Sequence, residues 1–331
     1  MSNTQNIGAT APDKGKMALR FSAKYGTLIA MLIMIVFFSL TIPKAFPTVG
    51  NFLNILNQGS LLAIISAGVT VVVIVGEFDM SVGYVASFAG VLVTGLMVNQ
   101  KLPIALAIPV TLLACLCIGF INGIIVTKAK VSSVISTIGI GNIVIGLNYA
   151  YANGAPIATG VPEAFLHITL TKLFGVIPID ILYMVILLLL LWVILNRTDL
   201  GMWIQAVGGN QKAARLSGIN VDKVKITSFM FSAFYSGICG ILLASLIGSG
   251  TTGAADGYLM NAFAAVYLGS ATLSDGKFHI VGTFFGVLII GIGLNGLAIM
   301  GVPTFFQYIF QGVILVGAVA LSTVARIYAK K

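Results

Sequence analysis

An all-α, polytopic membrane protein with about ten transmembrane helices is the fold class that this sequence predicts. Three observations lead there. The 331 residues are 58% hydrophobic and only 8% charged, against roughly 25% charged in soluble domains. Mean hydropathy is +1.07. Uncharged runs recur over 25–43, 45–76, 80–100, 102–127, 131–162, 226–255 and 278–325. Each is long enough for one span of about 20 residues, and some for two. The runs are continuously apolar and do not alternate with period two, which disfavours a transmembrane barrel.

The elements follow in order. Residues 1–24 form a polar cytoplasmic tail of low apolar content, at least its first part expected to be disordered. Span 1 covers 25–42 and is too long for a signal-peptide core, so it reads as an uncleaved anchor. Pro43 and Pro47 end it, and 51–57 suits a short external helix. Span 2 (61–75) and span 3 (82–98) flank the stretch GEFDMSVG, which brings Glu77, Asp79, Ser81 and Gly83 into very little room. Two readings of it stand side by side. Asp79 or Ser81 caps span 3, where the helix dipole favours an anion; or the break makes a discontinuous helix whose polar groups line a route.

Span 4 (103–126) carries Asn122 near Gly119 and Gly123. Span 5 (131–152) is unusually polar, with Ser132, Ser133, Ser136, Thr137, Asn142, Asn148, Tyr149 and Tyr151. Lipid would not tolerate these groups, so they face other helices or water. Residues 153–177 form the longest external loop, followed by span 6 (179–195) and span 7 (226–247). A second Gly-rich break, 248–257, precedes a short span 8 (260–273), span 9 (280–300) and span 10 (305–326). The membrane domain is thus 25–326, with a cytoplasmic tail at 327–331. Spans 2–5 and 7–10 each open on an apolar span followed by a Gly-rich break, the pattern of inverted-topology repeats.

The net charge of +9 does not gather on one amphipathic surface, so it does not suggest nucleic acid. It marks a membrane side. With both termini in the cytoplasm, only Lys44, Lys101 and Lys172 of the 18 basic residues fall outside. Cys115, Cys117 and Cys239 all lie within spans, and no His, Cys and carboxylate spacing suits a metal.

Between spans 6 and 7 lies a polar, basic island, VGGNQKAARLSGINVDKVK, within a cytoplasmic loop at 196–225. Asn210 is a good N-cap, residues 211–217 favour helix, and Gly218 stands where a helix commonly stops at positive φ. Lys212 and Arg215 charge this helix, Ala213, Ala214 and Ser217 give it a low-relief face, and Gly208 and Gly209 precede it. The segment G-G-N-x-x-A-A-R-L-S-G-I-N resembles the coupling loop of permease subunits in ABC importers of the ribose, xylose and galactose type. These are related to branched-chain amino-acid permeases. Gly76, Asp79, Ser81 and Gly83 match a family signature G-x-x-D-[LM]-S-x-G, with Glu77 where relatives often have glycine. Residues 257–269 resemble a second signature, but Leu259 and Asn261 replace two acids of relatives.

The resemblance implies a type II importer-like membrane subunit of the bacterial inner membrane, with its spans in two inverted repeats. It implies a separate ATP-binding subunit holding ATP and magnesium, gripping Gly209, Asn210, Lys212, Ala213, Ala214, Arg215, Ser217 and Gly218. It also implies a soluble solute-binding protein outside and a second permease subunit, identical or not. No G-x-x-x-x-G-K-[ST] occurs, so the chain has no phosphate cradle of its own and is not expected to be an enzyme or to bind a cofactor. Asn122, Asn148, Asn261 and Asn295 are uncharged amides in apolar spans. They suit a neutral polyhydroxylated solute better than ion coupling, since all nine Asp and Glu fall at span ends or in loops. A branched-chain amino-acid permease and an ATP-independent carrier or channel are the alternatives.

Overall fold

The structure, a computed structural model, describes residues 14–270, 272 and 276–329. Of the expected tail over 1–24, residues 1–13 lie outside them, as do the end of span 8 at 273 and the last two residues. The first five helices are α1 (Lys14–Thr41), α2 (Val49–Ile74), α3 (Val82–Val98), α4 (Ile104–Thr127) and α5 (Ser133–Ala152). A connecting region holds α6 (Glu163–Leu170) and strands β1 (Lys172–Leu173) and β2 (Ile177–Pro178), which pair antiparallel with Leu173 opposite Ile177. Next come α7 (Ile179–Arg197), α8 (Asp199–Gly209), α9 (Gln211–Leu216) and α10 (Val221–Ile247). The chain closes with α11 (Tyr258–Ser270), α12 (Ile280–Ile299) and α13 (Thr304–Ala329). Among the described residues, six helices (α2, α4, α5, α7, α10 and α12) are long and apolar enough to cross a membrane, with shorter apolar stretches in α1, α3 and α13.

Four elements differ from the sequence-based expectation. Residues 14–24, expected in the tail, are the start of α1, which no proline interrupts. The short helix expected over 51–57 is the first part of α2, which runs unbroken because no proline interrupts 49–74; Thr48 caps it by accepting from the Asn51 N–H at 3.2 Å. The loop after α5 contains α6, whose Phe165 is fully buried. The basic island is preceded by α8, begun by Thr198, whose hydroxyl accepts from the Gly201 N–H at 3.3 Å. Val207 is therefore a buried helical residue and not part of a solvated loop.

α2 and α10 are the centre of the bundle. Ile64, Ile65, Val69, Val71 and Val72 of α2 and Phe229 and Tyr235 of α10 are buried almost completely. α4 and α7 bury one face and present Leu113, Ile121, Leu189 and Leu190 outward, as lipid-facing helices do. Lipid tails are as apolar as leucine, so close backbone approach has to hold the helices together. Glycine supplies it. A Cβ on Gly240 of α10 would collide with the Ala86 carbonyl of α3, and one on Gly286 of α12 with the Ala265 carbonyl of α11. Hydroxyl pairs add to this: Thr70 and Thr283 meet at 2.8 Å between α2 and α12.

Candidate functional site

Asn210 turns the chain between α8 and α9 with an extended backbone. Its side-chain oxygen accepts from the Lys212 N–H at 3.0 Å and the Ala213 N–H at 3.1 Å, satisfying two of the free donors at the start of α9. The helix ends one residue before the expected Ser217, because Gly218 takes φ +84°. The Gly218 N–H then reaches the Arg215 carbonyl at 3.1 Å, and the Ile219 N–H reaches that of Ala214 at 3.0 Å, closing the left-handed stop. A knob of six residues stands on two short turns.

Its faces are not those the sequence suggested. Ala214 is buried against the protein, while Lys212, Ala213, Leu216 and Ser217 are exposed. Leu216 is 90% exposed, so the surface left for a partner has a bare leucine at its end. Arg215 is drawn to Asp222 at 3.8 Å, beside the Lys128–Asp222 pair at 2.7 Å. A Cβ on Gly208 would collide with the Ile74 carbonyl, so α8 is pressed onto the end of α2. Gly209 and Gly218 meet nothing within 4 Å.

The knob is seated on the helix break. The Gln211 amide lies 3.5 Å from the Val75 carbonyl, immediately before the turn at Gly76 (φ +83°). Glu77 and Lys225 form an ion pair at 2.5 Å, their side chains only 15% and 13% exposed. Beyond it the backbone is held by α5: the Phe78 N–H donates to the Ser133 hydroxyl at 3.2 Å and the Met80 N–H to that of Thr137 at 2.9 Å. Asp79 Oδ1 accepts from the Ser81 N–H at 3.0 Å and the Ser81 hydroxyl at 2.5 Å. The Asn122 amide of α4 donates to the same hydroxyl at 3.0 Å. Ser81 occupies the N-cap position of α3 but makes no capping bond with its side chain, and Asp79 bonds to Ser81. Asp79 Oδ2 and Asn122 Oδ1 are buried without a partner.

Asp79, Ser81 and Asn122 thus come together, and Gly83 lies beside them against the second Gly-rich segment, with the Ala255 carbonyl 3.0 Å from where its Cβ would be. The other amides are apart. Asn295 of α12 accepts from Asn51 of α2 at 3.0 Å, Asn148 is buried in α5, and Asn261 is half-buried on α11. Sequence reasoning missed Lys225 as the partner of Glu77, and Ser133 and Thr137 as acceptors for the break. The signal was present: backbone donors in a non-helical stretch need partners, and the Ser/Thr cluster opening span 5 offers them. Among the described residues, no three His, Cys, Asp or Glu side chains come together as metal ligands would.

Comparison with known proteins identifies what the chain is similar to. The family described as branched-chain amino acid transport system / permease component matches residues 51–319. The ribose import permease protein RbsC of Haemophilus influenzae is 38% identical over 303 residues, 91% of this chain and 93% of that protein. The Bacillus subtilis RbsC is 35% identical over 299 residues, covering 90% and 92%. The L-arabinose transport system permease protein AraH of Escherichia coli is 31% identical over 323 residues, 96% of each chain. No solved structure matches the chain.

Proposed function

Since the chain belongs to the branched-chain amino acid transport system permease component family, we propose that it is the membrane subunit of an ATP-driven importer carrying a small neutral sugar or sugar-like solute into the cytoplasm. Its similarity to ribose and arabinose permeases supports the solute class. The observation that carries the reading is the seating of α9. A capped helix with an exposed end rests on the end of α2 and the adjoining break. A pull on it from the cytoplasm acts directly on a membrane-spanning element.

In this reading ten spans cross the inner membrane: α1 to α5, α7 and α10 to α13, with α2–α5 and α10–α13 as inverted repeats and both termini inside. A separate subunit binds ATP and magnesium and grips α9, a solute-binding protein docks outside, and a second permease subunit completes the route. ATP binding shifts the equilibrium between the two states of the permease only if the grip on α9 differs between them.

Uptake in proteoliposomes holding the whole complex tests this. Ala213→Glu and Leu216→Glu place charge on the exposed side of α9 without touching its packing, and should abolish ATP-dependent uptake while assembly of the permease in the membrane persists. Undiminished uptake by both variants contradicts the reading. Ala214→Glu is a poorer probe, because Ala214 faces inward.

A further inference from the structure

The polar residues of α5 do not share one environment. Ser133, Ser136, Thr137 and Asn148 face the bundle, whereas Asn142 is exposed. Asn142 is the tenth of the twenty residues of α5, at the middle of a helix about 30 Å long at 1.5 Å per residue. Its neighbours along that face, Gly139 and Gly146, meet nothing within 4 Å.

A second exposed polar group stands at the same level. Gly141, next to Asn142, packs on the Tyr84 ring, 2.6 Å from the position of a Cβ, and near the Ser81 Cα at 3.6 Å. One residue before Tyr84, Gly83 packs on Ala255 and Asp256. α3 therefore connects the two, with Asn142 on one flank and Asp256 on the other. Asp256 is exposed and is fixed to α3 through Ser87, whose hydroxyl donates to Oδ1 at 3.3 Å and accepts from the Ala255 N–H at 3.0 Å.

The depth of Asp256 follows from α10. Ala86, beside Ser87, packs on Gly240, seven residues before the end of α10 at Ile247. At 1.5 Å per residue that places Asp256 about 10 Å below the helix end. Among the described residues no Lys, Arg or His pairs with it, and Oδ2 has no hydrogen bond. An aspartate facing hydrocarbon near a span centre costs about 2.5–3.5 kcal/mol on the insertion scale. Neither this carboxylate nor the Asn142 amide is placed as a lipid-facing residue would be.

We infer that Asn142, Tyr84 and Asp256 form one wall of a solute-contact site for neutral polyols at mid-membrane depth, the opposite wall coming from the second permease subunit. The chemistry fits the class. A carboxylate with a free oxygen accepts from a pair of hydroxyls, an amide both donates and accepts, and a half-buried aromatic ring offers an apolar face to sugar C–H groups. The inference rests on the proposed import of a sugar, and it adds the site within the permease.

Single cysteines at Asn142→Cys and Asp256→Cys in the assembled complex test it. Cys115, Cys117 and Cys239 are replaced first, and Leu113→Cys on the outer face of α4 serves as the lipid-facing control. A charged, water-soluble thiol reagent should modify positions 142 and 256 at least about ten-fold faster than position 113. A mixture of D-ribose, L-arabinose, D-xylose and D-glucose, with the binding protein present, should slow both reactions. Rates at 142 and 256 equal to that at 113 overturn the wall, and fast rates unmoved by any sugar overturn the polyol site. This readout needs no ATP, so its failure is distinct from failure of the coupling variants at Ala213 and Leu216.

Discussion

Replacing one member of the Glu77–Lys225 pair should be far more costly than replacing a surface ion pair. An exposed pair contributes about 0–1 kcal/mol, whereas breaking a buried one costs about 3–5 kcal/mol because a charge is left without its partner. With side chains 13% and 15% exposed and an N···O distance of 2.5 Å, this pair stands nearer the second case, though water still reaches it. Each single change, Glu77→Gln or Lys225→Met, is therefore expected to destabilise by about 2–3 kcal/mol, and the double change by little more than either. A coupling of about 2 kcal/mol should emerge from a double-mutant cycle. Titration with a denaturing detergent in mixed micelles reads the unfolding free energy of the four proteins. The exchanged pair, Glu77→Lys with Lys225→Glu, should recover most of the loss. Additive single changes, with no recovery on exchange, would refute the claim that the pair holds the break onto α10.

Other expectations follow from single contacts. Asn210→Ala removes both capping hydrogen bonds at the start of α9 and should cost about 1 kcal/mol locally, seen as faster hydrogen exchange at the Lys212 and Ala213 amides. Gly240→Ala should destabilise by about 1–3 kcal/mol by overpacking against Ala86, while Gly139→Ala, with open space around it, should leave unfolding unchanged. Thr70→Val should cost only about 0.6 kcal/mol, the average for a hydrogen bond between membrane helices, despite its complete burial.

The helices of this chain were legible because apolar length is a strong signal and proline and glycine mark the ends. α9 was legible too, since Asn210 and Gly218 are local determinants whose effect needs no distant partner. What escaped was long-range. Nothing near Glu77 announces Lys225, 148 residues away. Ala214 is buried in the same cluster as Ile204 and Val207 of α8, a helix whose apolar face is interrupted by glycines and does not stand out beside its longer apolar neighbours. Span 5 shows the same limit. Its polar residues are plain in the sequence, but only packing against α3 and α4 separates the inward-facing Asn148 from the exposed Asn142.

The most direct measurement for the central claim is the accessibility of a single cysteine at Leu216→Cys, with the three native cysteines replaced. If a motor subunit grips α9 in the cytoplasm, a membrane-impermeant maleimide labels position 216 from the cytoplasmic side alone, and binding of the ATP-binding subunit blocks that labelling. Labelling from the opposite side, or labelling left unchanged by the bound subunit, would contradict the account.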